Sequence, residues 1–201
     1  MKKSFLLVAL FALVSMGSFA QEKPSFFVKA GVNASDLWGS DVGSYYKGLV
    51  GFRAGFGTIL PINDLIAIQP SLFLSQKGAK YDSGLYVEKT TINAWYLDLP
   101  IDLQFRIHAG RVILTPAIGP YFAYGVFGKN KHSSLALSHD TFQSGAFKRF
   151  DAGLNTEFGI EFSNHIMLSV SYELGLVKVP DMSNAPKDYN ETVNFSVGYK
   201  F

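Results

Sequence analysis

The chain has 201 residues, 48% of them hydrophobic and 15% aromatic, with 18 basic and 16 acidic residues and no cysteine. That length suits a single all-β domain. The missing cysteine excludes a disulfide scaffold, thiolate zinc, a cysteine nucleophile and a lipid-modified N-terminal cysteine, and no basic block marks a nucleic-acid footprint.

The first segment, 1–20, reads as a cleaved secretory signal. Lys2 and Lys3 form its basic start, Phe5–Val14 its apolar run, and Ser18-Phe19-Ala20 a small-x-small cleavage site. The run is too short to span a bilayer as a helix, which argues against a retained anchor. Cleavage after Ala20 leaves Gln21 first and 21–201 as one barrel domain. Lys2 and Lys3 are two of the 18 basic residues, so the mature chain balances 16 basic against 16 acidic ones. No later apolar stretch reaches the length of a membrane helix.

The mature chain alternates with period two in eight segments. Phe26–Ala34 carries Val28, Ala30, Val32 and Ala34 on one face. Leu49–Leu60 carries Val50, Phe52, Ala54, Phe56, Thr58 and Leu60, and Leu65–Gln76 carries Ile66, Ile68, Pro70, Leu72 and Leu74. Trp95–Ile107 carries Trp95, Leu97, Leu99, Ile101, Leu103, Phe105 and Ile107. Val112–Phe127 carries Val112, Leu114, Pro116, Ile118, Pro120, Phe122, Tyr124 and Val126. Phe150–Phe162, Ile166–Leu176 and Val193–Phe201 close the series with the same pattern. Connections alternate long and short: Ser35–Gly48 long, Pro61–Asp64 short, Gly78–Thr90 long, His108–Gly110 short, Gly128–Arg149 long, Ser163–His165 short, Val177–Asn190 long. Long and short in turn is the plan of an up-and-down outer-membrane barrel. Pro70, Pro116 and Pro120 lack ladder donors and predict local bulges.

Alternation alone does not say which face is inside. A soluble ligand-binding barrel turns its apolar face inward; a membrane barrel turns it to lipid. Three features favour the membrane. Glycine sits on the polar face at Gly31, Gly51, Gly55, Gly57, Gly119, Gly125, Gly153, Gly159, Gly175 and Gly198, where it makes room in a narrow lumen. The same face carries Lys29, Arg53, Asp98, Asp102, Arg106, Asp151, Glu157, Glu161, Glu173 and Lys200, a set able to pair and close that lumen. The last strand alternates Phe195, Val197, Tyr199 and Phe201 to its end, and aromatics such as Trp95, Tyr124, Phe150 and Phe162 fall near strand ends, where aromatic girdles belong.

The signal, the segments Phe26–Asn33 and Tyr96-Leu97-Asp98-Leu99-Pro100-Ile101, and the ending Val197-Gly198-Tyr199-Lys200-Phe201 together resemble the "porin family" or PorT-like outer-membrane barrels of Bacteroidota. The resemblance covers essentially the whole mature chain, and the Tyr-Leu-Asp-Leu-Pro segment is its most specific part. It implies an outer-membrane address, contact with membrane lipids, and insertion by the barrel-assembly machinery reading Phe195, Val197, Tyr199 and Phe201. It supplies no activity, although one branch is associated with secretion and gliding.

Chemistry-bearing residues are sparse. Ser133, His139 and Asp140 are the types a barrel lipid hydrolase would use, but they share one polar loop without strand-fixed geometry. His132 and His139 lack a carboxylate cluster for a metal. Asp98, Asp102, Glu157 and Glu161 could be paired acid/base carboxylates, but ion pairing with Arg53 and Arg106 accounts for them better. The expectation is a non-enzymatic envelope protein without cofactor or metal and with a charge-closed lumen; a narrow channel and a lipid-modifying enzyme are the alternatives. Trp38, Tyr45, Tyr46, Tyr81, Tyr86, Phe142 and Tyr189 are loop aromatics that either serve recognition of a protein or glycan or lie among headgroups.

Overall fold

A computed structural model describes residues 23–39, 46–82, 89–132, 138–142, 148–179 and 188–201, with backbone alone at 46–47, 79–82, 89–92, 129–132 and 138–140. The expected signal, 1–20, lies outside the described residues. The strands are β1 Ser25–Gly39, β2 Tyr46–Pro61, β3 Ile66–Asp82, β4 Lys89–Phe105, β5 Ile107–Ala109, β6 Val112–His132, β7 Ser138–Asp140, β8 Phe150–Phe162, β9 Ile166–Lys178 and β10 Asp188–Lys200. Eight of them are long and form the wall, in the order β4-β3-β2-β1-β10-β9-β8-β6, and β4 pairs with β6 to close it. Every pairing is antiparallel. β5 continues β4 beyond Arg106, and β7 adds a short strand to the outer end of β6.

The strands run beyond the alternating segments. β1 reaches Gly39, β3 reaches Asp82, β6 reaches His132 and β10 begins at Asp188. Hydrophobic alternation marks only the stretch that needs an apolar face. Ladder hydrogen bonds continue past it, so the long connections are shorter than the pattern suggests.

The faces sort by parity. Phe52, Phe195 and Val197 are 64%, 57% and 57% exposed, whereas Lys29, Arg53 and Asp98 are 3%, 4% and 0% exposed. Charge fills the interior and apolar side chains cover the outside. In water so large an apolar surface would aggregate; in lipid it is the required surface. The soluble-barrel alternative needs the opposite arrangement.

Small radius explains the inward glycines. A Cβ on Gly31 would overlap the Phe195 carbonyl oxygen of β10, and one on Gly153 would overlap the Leu174 carbonyl oxygen of β9. The prolines correct an expectation. Pro70, Pro116 and Pro120 sit in unbroken registers opposite Ile101, Phe158 and Leu154, and the register shifts fall elsewhere, at Gly48/Arg53, Trp95/Tyr96 and Tyr189/Glu191. Proline costs a ladder bond without forcing an extra residue. The gap between β4 and β5 shows this: Gln104 faces Ala117 and Ile107 faces Leu114, so the break lies opposite Pro116 and Thr115.

The short turns are locally encoded. Asn63 Oδ1 accepts from the backbone N–H of Leu65 (2.9 Å) and Ile66 (2.8 Å), an Asx turn. Gly110 takes φ +66°, as its tight turn requires.

Candidate functional site

The inward side chains stack in layers from the short-turn end upward. At the bottom, Glu161 is shared by Arg106, 3.3 Å away, and Lys200. Above it Lys29 Nζ lies 2.7 Å from Glu157 Oε1, which also accepts from Gln69 (3.3 Å). Gln104 donates to Gln69, and Asn155 Nδ2 donates to both oxygens of Asp102 (3.0 and 2.9 Å).

The central layer is a four-member charge cluster. Lys77 Nζ bridges Glu173 at 2.7 Å and Asp98 at 3.1 Å, and Arg53 reaches Glu173 at 3.3 Å. Arg53 also donates to Ser171 Oγ and lies 3.9 Å from the Phe73 ring centre. Asn194 Nδ2 donates to Ser171 Oγ (3.1 Å). Above this, Tyr121 and Asn190 donate to Asp151 Oδ2 at 3.1 and 3.0 Å, and Lys77 Nζ sits 4.9 Å from the Tyr121 ring centre.

The outer mouth is covered by a turn. Thr141 N–H donates to the Gly128 carbonyl (3.3 Å), and its hydroxyl donates to the Asn93 carbonyl (3.2 Å). Phe142 then packs edge-on against Tyr96 at 5.7 Å, with the Arg149 guanidinium 4.7 Å from its ring. The site depends on Gly125, since a Cβ there would overlap the Phe142 ring. Tyr96 donates to the Lys148 carbonyl (2.9 Å), and Lys148 N–H donates to the Val179 carbonyl (2.8 Å), tying the third and fourth long connections together.

The structure therefore brings the sequence-derived lumen residues together, but with other partners than expected. Asp98 pairs with Lys77 and Glu157 with Lys29, while Glu161 meets Arg106. Asp102 and Asp151 take amide and hydroxyl donors. Asp98 and Asp102 are 0% and 1% exposed, so both carboxylates are enclosed by the lumen side chains. Lys77, at the centre, was absent from the expected set because the alternating segment stops at Gln76. Odd parity carried one residue further would have found it.

The loop aromatics are also relocated. Trp38 and Tyr189 stack at 4.9 Å from strands β1 and β10, Tyr46 faces Tyr81 across β2 and β3, and Phe142 is half-buried in the mouth. Tyr45 and Tyr86 lie outside the described residues. Trp95 stacks on Phe127 at 5.6 Å, and Tyr124 faces Phe150, an aromatic belt near the outer end of the wall. His139 and Asp140 belong to β7, opposite Asn130 and Lys129, while Ser133 lies outside the described residues. A concavity of about 550 Å³ lies on the outer wall between Val32, Phe158, Leu168 and Phe195, facing lipid rather than lumen.

A family model described as "Outer membrane protein beta-barrel domain" matches residues 19–181. No curated protein matches the sequence. Among solved structures the chain is similar to Ail, the attachment invasion locus protein of Yersinia pestis, crystallised with the heparin analogue sucrose octasulfate. That match has 19% identity and TM-score 0.50, covering 90% of this chain and 100% of that one. It is similar to OprG of Pseudomonas aeruginosa at 12% identity and TM-score 0.51, covering 92% and 98%. Neisserial surface protein A gives 14% and 0.50, covering 90% and 100%. At these identities the likeness is one of fold.

Proposed function

We propose, given that the chain belongs to the outer membrane protein beta-barrel domain family, that it is a non-enzymatic envelope protein of the outer membrane with a closed lumen and a working surface at its outer rim. The observation that carries this reading is the buried bridge of Lys77 between Asp98 and Glu173, at mid-lumen and flanked by Arg53, Tyr96 and Tyr121. Eight strands leave an interior that side chains fill, and here they fill it with groups that hold one another. An open path for ions would have to break several buried pairs together, each costly to separate.

The finer parts of the reading follow. Segment 1–20 directs export. The PorT-like likeness rests on Tyr96–Ile101, whose Asp98 takes part in the central cluster. The outward row Phe195, Val197 and Tyr199 lies on β10, which pairs with β1, and Phe201 follows it; we assign these four residues to recognition by the assembly machinery. The long connections face outward, so the rim meets surface lipids and any protein or glycan partner.

Planar bilayers test the reading. The refolded chain is expected to give no steady open level; a stable conductance from protein with the heat-modifiable gel mobility of a folded barrel overturns it.

A further inference from the structure

Two cavities lie end to end along β8. The lower one, of about 230 Å³, sits at the short-turn end between the β5–β6 and β8–β9 turns, where His108, Arg111, Ile113, Glu161, Phe162 and His165 line it. The upper one is the wall concavity of about 550 Å³, lined by Phe158 and Ile160 of β8 together with Leu168, Val170 and Phe195. Phe162, Ile160 and Phe158 are successive outward residues of one strand, so the concavity begins one outward row above the pocket. On the neighbouring strand Leu168 faces Ile160 and Val170 faces Phe158, which carries the concavity across β9.

The lower pocket is basic. Glu161 at its back is buried and already matched by Arg106, 3.3 Å away, and by Lys200. Arg111, His108 and His165 are exposed around it, and Asp64, on the β2–β3 turn, does not line it. Three permanent cations therefore stand against one carboxylate. His165 is the one non-glycine at positive φ among the described residues, at +68°; the neighbouring short turn gives its left-handed place to Gly110, at +66°. Left-handed backbone favours glycine, so position 165 keeps a side chain against the local preference. The Lys200 N–H donates to the His165 carbonyl (2.9 Å), and the imidazole lies 6.1 Å from the outward Tyr199 ring, which sets it at the lipid side of the rim. The upper cavity is apolar. From Phe162 to Phe158 the strand climbs roughly 10 Å at a tilt of about 40°, inside the ~15 Å hydrocarbon depth of one leaflet.

We infer that the two cavities form one site for an anionic phospholipid of the inner leaflet, its phosphate held by Arg111, His108 and His165 and an acyl chain laid in the concavity between Phe158, Val170 and Phe195. Charge complementarity and shape select this occupant together. The pocket is smaller than the clefts of about 300–1,000 Å³ that enclose drug-sized ligands, which suits a headgroup, and the apolar concavity directly above it suits the chain attached to that headgroup. The guanidinium of Arg111 supplies a donor fork that fits phosphate oxygens. The inference goes beyond the proposed function, whose working surface is the outer rim, and takes from that reading only the orientation that puts the short turns on the inner side.

The test uses the full mature chain folded in nonionic detergent, with phosphatidylglycerol as the probe and phosphatidylcholine of equal chain length as the reference. Native mass spectrometry counts bound lipid. Phosphatidylglycerol is expected to bind about tenfold more tightly, the effect of one or two cations near a headgroup. Arg111→Gln with His165→Asn is expected to remove the preference; asparagine tolerates the left-handed backbone at 165. Lys23→Gln, exposed before β1 and outside the pocket, is expected to keep it. Val170→Phe, which fills the concavity, is expected to weaken both lipids, and Val50→Phe, on the wall at β2, neither. Equal binding of the two lipids, or an unchanged preference in the double variant, overturns the proposal. Unchanged binding in Val170→Phe overturns the acyl half of the site. Displacement of the lipid by an equal concentration of glycerol phosphate, which has no chains, overturns the assignment to lipid in favour of a free anion. Should the double variant fail to fold, Arg111→Gln alone gives the same reading: a reduced preference is expected, and an unchanged one contradicts it. Because the assay needs no bilayer current, its failure leaves the closed-lumen reading separately testable.

Discussion

Lys77 Nζ lies 2.7 Å from Glu173 Oε2 in mid-lumen, and each side chain is 1% exposed. The pair is made between β3 and β9, strands on different sides of the barrel. It therefore ties the wall across its interior rather than along a ladder. Removing Lys77 strands charge that water cannot reach. Lys77→Met is expected to destabilise the folded barrel by about 3–5 kcal/mol. Adding Asp98→Asn should recover a good part of the loss, because the two sites share one cluster. Urea unfolding in lipid vesicles measures both; a loss under about 1 kcal/mol, with no recovery, contradicts the assignment.

The wall predicts a different kind of sensitivity. Phe52 faces outward opposite Val32, midway along β1 and β2. Phe52→Arg should cost about 2–4 kcal/mol in vesicles, the range for a cation at bilayer depth. The same change in a soluble barrel's exposed face would be nearly neutral, so the two readings separate cleanly by the unfolding midpoint.

Glycine positions can be ranked. Gly31→Val drives a side chain into the Phe195 carbonyl and should cost at least about 2 kcal/mol or prevent closure of the β1–β10 seam. Gly110→Ala meets nothing within 4 Å and should cost only about 1 kcal/mol, from its φ of +66°. Heat-modifiable gel mobility and refolding yield report the order; the reverse order contradicts the packing argument.

At the outer mouth, Phe142→Ala removes the ring between Tyr96 and Arg149. Amide exchange should speed up at Thr141 and Gly125, whose N–H groups bond the Gly128 and Arg149 carbonyls. Conductance should stay absent, because the Lys77 layer beneath is untouched. Unchanged exchange at both amides would mean the turn is held without Phe142.

Much of this architecture was legible in residue order. Alternation from Trp95 to Ile107 marks the strand and puts Asp98 and Asp102 on one face, and the glycines and charges of that parity mark the face as the inward one. Lys77 was missed because Gln76 and Gly78 interrupt the apolar parity while the ladder carries on. The partners of Asp102 and Asp151 were not legible: the choice between cation and amide donor depends on which strands face each other across the lumen. Phe142 read as a loop aromatic, since only the folded turn at Thr141 brings it over Gly125. The prolines misled because bulging is one of two ways to lose a donor, and these strands take the other.

The central claim is that apolar parity faces lipid and charged parity fills a closed interior. The chain has no cysteine, so a single nitroxide can be placed on β10 without background. Phe195→Cys and Val197→Cys, labelled and reconstituted, are predicted to collide readily with oxygen and poorly with a water-soluble nickel chelate. Ser196→Cys between them is predicted to be shielded from both. Nickel access at Phe195 and Val197 with oxygen access at Ser196 would contradict the account.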